Sequence, residues 1–280
     1  MTRANIETFI IFQAFVGIGH LARSSAIAKA FGSISHVTMF SGGKPIEGYS
    51  PPSGVDFVQM PAVRRDKPGE TPVPVDPRFT TAEVEHMQSE LLVDAYLRIR
   101  PRIVIVEHSP FSPKRFGKTL NKLFEAINKE QKRPIVICSV RTCPWEVTDT
   151  DADAAWINEQ LRENFCCVLH HTDSKLFPLP SFGSYVRTAL SGISVWQTGF
   201  VRRTVTQQEH ERPSNGLLLT VGGGSAFGTK LLKLWINAAR AGSADMFPIN
   251  AVCGPLMNAE DRKSIHALQD AGITLSLIHI

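Results

Sequence analysis

The chain has 280 residues, 43% of them hydrophobic and 20% charged, an ordinary globular balance that can bury a sizeable core and suits two domains. The net charge is only +4 and the basic residues are scattered, which excludes the massed basic stripe of a nucleic-acid-binding protein. A sequence pI near 8.8 suits phosphate-bearing ligands and peripheral contact with an anionic inner membrane face.

The opening stretch Met1–Thr8 is short and polar, and the apolar run Phe9–Val16 is too short to span a bilayer. Neither a signal peptide nor a transmembrane helix is expected. Strand-like and helix-like segments then alternate. Phe9–Phe12 is a short β-prone run, followed by the turn Val16-Gly17-Ile18-Gly19 and a helix over Leu21–Phe31. His36–Phe40 reads as a second strand, closed by Ser41-Gly42-Gly43, and Val55–Met60 as a third. Residues 61–80 are rich in proline and charge and read as a surface loop. A helix is predicted over Thr81–Arg98, a buried strand over Arg102–Val106 and an amphipathic helix over Pro113–Lys132. Ile135–Val140 reads as a buried strand, Ala152–Asn164 as a helix, and Cys166–Leu169 and Val195–Gln197 as strands. Continuous apolar strands separated by helices indicate a parallel sheet covered on both faces.

Arg202–Asn215 has little to bury and reads as an interdomain linker. The alternation then restarts with strand Leu217–Val221, helix Ala226–Ala241, strand Pro248–Cys253 and helix Asn258–Ala271. The five cysteines, Cys138, Cys143, Cys166, Cys167 and Cys253, lack zinc-type spacing and read as reduced thiols of a cytoplasmic protein.

Two glycine turns carry the chemistry. Gly17-Ile18-Gly19-His20-Leu21-Ala22-Arg23 follows a strand and opens a helix, so backbone amides and a positive helix end face a ligand. A dinucleotide fingerprint would require an acidic residue after the second strand, where Ser41-Gly42-Gly43-Lys44 stands instead. His20 lies at the strand-to-helix corner. There it is either a base, its protonated form disfavoured by the helix end, or a capping side chain. Arg23 either binds an anion or pairs with a carboxylate. The second turn is Gly222-Gly223-Gly224-Ser225, either a plain tight strand-to-helix turn or one whose amides cradle a diphosphate with Ser225 as cap. It is not a Walker loop, because no Gly-Lys-Ser/Thr follows. Glu107 and Arg141 each end a buried strand; Glu107 either faces the cleft or is a solvated or paired carboxylate, and Arg141 is placed in the same way. His170-His171 with Asp173 looks metal-like, but adjacent histidines on an extended chain point to different faces, so no metal is expected there.

The run Gly17-Ile-Gly-His20-Leu-Ala-Arg23-Ser-Ser-Ala-Ile-Ala-Lys-Ala resembles the start of GT-B glycosyltransferases akin to family 28, and most nearly a bacterial group of MurG-like glycosyltransferases. Ser41-Gly-Gly, Val106-Glu-His-Ser-Pro-Phe111, Val136-Ile-Cys-Ser-Val-Arg141, Thr198-Gly-Phe-Val201, Val221-Gly-Gly-Gly224 and Cys253-Gly-Pro-Leu256 extend the resemblance in order over nearly the whole chain. Departures fall at Thr142 and His108. The resemblance implies an α/β protein of two Rossmann-like parallel-sheet domains, the second incomplete. Residues 1–201 would hold a hydroxyl acceptor, and residues 202–274 would hold a nucleotide-sugar, most simply UDP-linked.

The reaction implied is transfer of a hexose or N-acetylhexosamine, with no cofactor and no metal. By matching position His20 is the base, with Glu107 beside it in the catalytic set. Gly17, Gly19, Arg23 and Arg141 contact the acceptor. Thr198, Gly222, Gly223, Gly224 and Ser225 contact the donor diphosphate. A nucleotide-sugar hydrolase of the same architecture shares the first motif, and a non-catalytic nucleotide-sugar-binding module is a further alternative. Leu275–Ile280 resembles a translated sequencing adapter, so the sequence predicts a non-native tail there and a gene that continues past Thr274.

Overall fold

A computed structural model describes residues 6–14, 17–65, 71–111, 118–141, 151–179, 184–202, 217–221, 226–241, 249–268 and 273–277. Eight strands make the larger sheet: β1 (Glu7–Phe12), β2 (His36–Gly43), β3 (Val55–Arg64), β4 (Val73–Pro74), β5 (Ile103–Glu107), β6 (Ile135–Val140), β7 (Cys167–His170) and β8 (Val195–Gln197). Their spatial order is β4-β3-β2-β1-β5-β6-β7-β8, and every pairing is parallel except β3 with β4. Among the described residues five helices go with this sheet: α1 (Gly19–Phe31), α2 (Thr81–Ile99), α3 (Asn121–Asn128), α4 (Asp151–Asn164) and α5 (Ser184–Ala189). A separate parallel sheet, ordered β11-β10-β9, comprises β9 (Leu217–Thr220), β10 (Ile249–Cys253) and β11 (Ile273–Leu277), with α6 (Ala226–Ala241) and α7 (Ala259–His266) between its strands.

The two-residue period of the strands sorts the core. Phe9, Ile11, Val104 and Val106 point to the face covered by Leu92 and Tyr96 of α2, Leu123 and Ile127 of α3, and Ile157 and Leu161 of α4. Ile10, Phe12, Ile105 and Ile137 point to the other face, covered by Leu21, Ile27 and Ala28 of α1. Burial on both faces is why these strands read as unbroken apolar runs. The smaller sheet has its own core of Leu219, Leu232, Ile236, Ile249, Ala251, Cys253, Met257 and Ile265. The strand order reverses between β1 and β5. The connections leaving them diverge to opposite faces, which opens a crevice at their C-terminal ends.

Several elements differ from the sequence reading. Ser41-Gly42-Gly43 is not a closing turn but the end of β2. The pairing shifts there from Ser41↔Gln59 to Gly43↔Val63, and the Gln59 amide bridges the irregularity by donating to the carbonyls of Ser41 (3.0 Å) and Gly43 (2.9 Å). A Cβ at Gly42 would run into the Gln13 amide, and one at Gly43 into the backbone of Ala14. The glycines are there so that β2 can lie against the end of β1. The proline-rich stretch is not wholly loop: β3 runs on to Arg64 and pairs with Val73–Pro74, an edge position that tolerates a residue lacking an N–H. The helix predicted from Pro113 is described only over Asn121–Asn128, with Leu123 and Ile127 buried, while residues 112–117 lie outside the described set. Helix α5 had no counterpart in the reading, because six residues are too few for a helical period to show. The linker residues 203–216 also lie outside the described set.

Candidate functional site

Helix α1 starts at Gly19, its Ile18 cap makes no side-chain hydrogen bond, and its first turn holds no acidic residue. The positive end therefore opens into the crevice without a counter-charge of its own. Gly19 admits the Arg141 guanidinium, one nitrogen of which lies 3.3 Å from where a Cβ would stand, so Arg141 reaches over the first turn from the end of β6. A Cβ at Gly17 would meet nothing within 4 Å.

From the start of the helix His20, and one turn on Arg23, both engage Glu107. His20 Nδ1 meets Oε2 of that carboxylate and Arg23 Nη2 meets Oε1. Glu107 has 1% of its side chain exposed, Arg23 6% and His20 20%, so the triad grades from core to crevice. An ionised Glu107 accepts from Nδ1–H and leaves Nε2 of His20 as the basic nitrogen. Arg23 Nη2 also stands 3.2 Å from His20 Nδ1 and balances the buried negative charge. The chain turns sharply after Glu107: His108 has φ 66° and donates its N–H to the Ser139 carbonyl at 2.7 Å. Its ring lies 5.8 Å from that of His20. A left-handed histidine costs backbone energy and is found where a site holds it.

A second polar set continues along the same edge. Ser139 is in register with Glu107, and His171 follows the last residue of β7. Both sit two residues beyond apolar positions of the α1-facing layer, Ile137 and Leu169. His171 Nε2 is 2.9 Å from Ser139 Oγ and its Nδ1 is 2.7 Å from Thr198 Oγ1. Burial foremost, then the charge of Arg23 and the neighbouring His170, depress the His171 pKa to about 4. Burial also lowers that of His170, whose Nδ1 lies 3.2 Å from Thr172 Oγ1. The two histidines thus make separate contacts. Among the described residues no group of three or more His, Cys, Asp or Glu is placed to hold a metal ion, and no helix is long and apolar enough to cross a membrane.

The structure therefore gathers His20, Arg23 and Glu107, sets Arg141 over Gly19, and ties Thr198 through His171 to Ser139. Gly222, Gly223, Gly224 and Ser225 lie outside the described residues. The sequence reading passed over Ser139 and left His171 without a role. The available signal was the two-residue alternation Ile137/Ser139 and Leu169/His171, where a polar side chain replaces the expected apolar one.

No protein-family model matches the sequence, and no curated protein does. Solved structures do. A UDP-glucosyltransferase from Polygonum tinctorium capable of glucosylating indoxyl is 14% identical with a TM-score of 0.51, the alignment covering 99% of this chain and 72% of that one. UGT2 of Phytolacca americana, solved with UDP-2-fluoro-glucose and pterostilbene, is 13% identical with a TM-score of 0.53, covering 98% and 72%. A UDP-N-acetylglucosamine 2-epimerase is 10% identical with a TM-score of 0.52, covering 97% and 68%. The chain has the Rossmann-like, GT-B fold that these enzymes share. Likeness at such identity defines the fold and leaves the chemistry to the site.

Proposed function

We propose that this chain is a nucleotide-sugar-dependent glycosyltransferase that moves a hexose or N-acetylhexosamine, without a metal, to a hydroxyl acceptor. The acceptor would lie against residues 1–201 and the donor, a UDP-sugar, against the lobe that begins at residue 202. The observation that carries the reading is the His20–Glu107 pair at the topological switch point, beside a helix end. Of the solved structures that share the fold, one is a UDP-glucosyltransferase and another is complexed with UDP-2-fluoro-glucose, which favours a nucleotide-sugar donor.

In the proposed reaction the acceptor oxygen attacks the anomeric carbon and a new glycosidic bond forms. The bond from that carbon to the diphosphate oxygen breaks, and the hydroxyl proton passes to His20 Nε2. Glu107 holds the imidazole by Nδ1 and stabilises the imidazolium as it forms. Arg141 and the α1 amides orient the acceptor. The amides of Gly222–Gly224, the Ser225 hydroxyl and Thr198 receive the charge of the departing nucleoside diphosphate. His20→Ala should lower turnover by about two to four orders of magnitude. UDP affinity should be unchanged, because none of the proposed donor contacts, Thr198 and Gly222–Ser225, involves His20. The assay follows UDP release from UDP-glucose and UDP-N-acetylglucosamine with and without a panel of hydroxyl acceptors. Turnover of His20→Ala within a few-fold of the parent would remove His20 from the chemistry. Release that ignores every acceptor would reassign the chain as a hydrolase, and binding without release would make it a binding module.

A further inference from the structure

Ser139, His171 and Thr198 play no part in the proton transfer above, yet they form a continuous polar path from the middle of the sheet to its outer end. Ser139 is fully buried and His171 is 4% exposed, whereas Thr198 lies at the surface. Thr198 also marks where the chain leaves the sheet. Its N–H donates to the His170 carbonyl at 3.0 Å, and the Gly199 N–H donates to the Thr172 carbonyl at 3.1 Å, with Gly199 at φ 77°. The donors run one way. Thr198 Oγ1 donates to the Gly199 carbonyl at 3.2 Å, so it accepts from His171 Nδ1–H, and His171 Nε2 in turn accepts from the Ser139 hydroxyl. That order fixes one neutral tautomer of His171. Burying a serine and an imidazole where Ile137 and Leu169 set an apolar precedent costs desolvation energy, and packing alone does not require it.

We propose that His171 is a positioning residue, which fixes the Thr198 hydroxyl and the turn after it in the orientation that a nucleoside diphosphate in the cleft requires. This rests on the reading of Thr198 as a donor contact. An imidazole suits the task because its two nitrogens lie on opposite edges of a rigid ring. One edge is anchored in the core by Ser139 and the other delivers a donor to the surface hydroxyl.

The test uses the full chain, two replacements that split the ring's edges, and UDP as the probe. In His171→Asn the amide nitrogen takes the place of Nδ1 and still donates to Thr198. In His171→Gln the longer amide takes the place of Nε2, keeps Ser139 and releases Thr198. Calorimetry should show the UDP Kd raised about tenfold in His171→Gln, the effect of one lost hydrogen bond, and held within about twofold in His171→Asn. Thr198→Val should match the His171→Gln loss, and the double variant should lose no more than either single one. Imidazole nitrogen NMR of the parent should report Nδ1–H on His171 between about pH 5 and 8. Equal UDP affinity in both His171 variants, equal loss in both, or an Nε2–H tautomer would each overturn the inference while leaving the proposed function standing. Failure of the parent chain itself to bind UDP would overturn the proposed function and this inference with it.

Discussion

Glu107 is a buried carboxylate answered by two partners from one helix, His20 and the nearly buried Arg23. Such a pair gains little net energy over an apolar substitute, but removing one member strands the other in the core. Glu107→Gln should therefore destabilise the protein by about 3–5 kcal/mol, read as a lowered urea midpoint with an unchanged slope. An unchanged midpoint would show that Arg23 does not depend on this carboxylate. His171 adds a pH dependence of defined sign. Its pKa is near 4 in the folded chain against an ordinary 6.5, with burial and the Arg23 charge opposing protonation. Between those values the unfolded chain binds the extra proton, so stability is undiminished above about pH 6.5 and falls as pH drops toward 4. The full loss from this group is about 3 kcal/mol, reached below pH 4. Comparing chemical denaturation at pH 7 and pH 4.5 in the parent and in His171→Asn checks this, and an identical pH slope in both would refute it.

At the scale of elements, two glycines of similar appearance should behave differently. A Cβ at Gly43 meets the backbone of Ala14, which cannot yield without moving the end of β1, so Gly43→Ala should cost about 2–4 kcal/mol. A Cβ at Gly17 meets nothing within 4 Å, so Gly17→Ala should shift stability by no more than about 0.5 kcal/mol. Any effect of Gly17→Ala on acceptor KM would then report ligand contact rather than folding. Thermal melts of the two variants settle the contrast, and similar melting points would contradict it. The same contrast shows what was legible in the sequence. The β-branched runs of β5 and β6 announce buried parallel strands, and Gly19-His20 at a strand-to-helix corner announces the candidate site. What Gly42 and Gly43 avoid is hidden, because it depends on Gln13 and Ala14 from a different strand. The polar positions 107, 139 and 171 become one edge only when the register Glu107↔Ser139 and the α1-facing side are known. Period-two patterning shows which residues share a face within a strand, but not which strands are neighbours. Edge strand β4 and helix α5 are too short to carry any period.

At the scale of the whole molecule, the two sheets divide the proposed labour. In the proposed reaction acceptor chemistry belongs to the switch point of the eight-stranded sheet, and donor binding to the glycine run in sequence between β9 and α6. They approach each other where Arg262 of α7 comes within 3.9 Å of Glu47, in the loop after β2. Glu47 is 89% exposed, so this contact is screened and adds little to stability. Apart from the His171–Thr198 contact at the outer end of the larger sheet, the division predicts that damage at the switch point leaves donor binding intact. Gly223→Val puts a β-branched side chain into the glycine run, where backbone amides are proposed to approach the diphosphate. It also forbids any left-handed conformation there. UDP at one hundred times its Kd should stabilise the parent by about 2.7 kcal/mol, and Gly223→Val should lose most of that increment. His20→Ala, on the opposite lobe, should keep the increment in full while losing turnover. A melt series with and without UDP on the parent and both variants reads all of this at once. If Gly223→Val folds and keeps the full UDP increment, the diphosphate does not sit on the glycine turn. If His20→Ala loses the increment, the donor reaches the switch point and the two-lobe division fails.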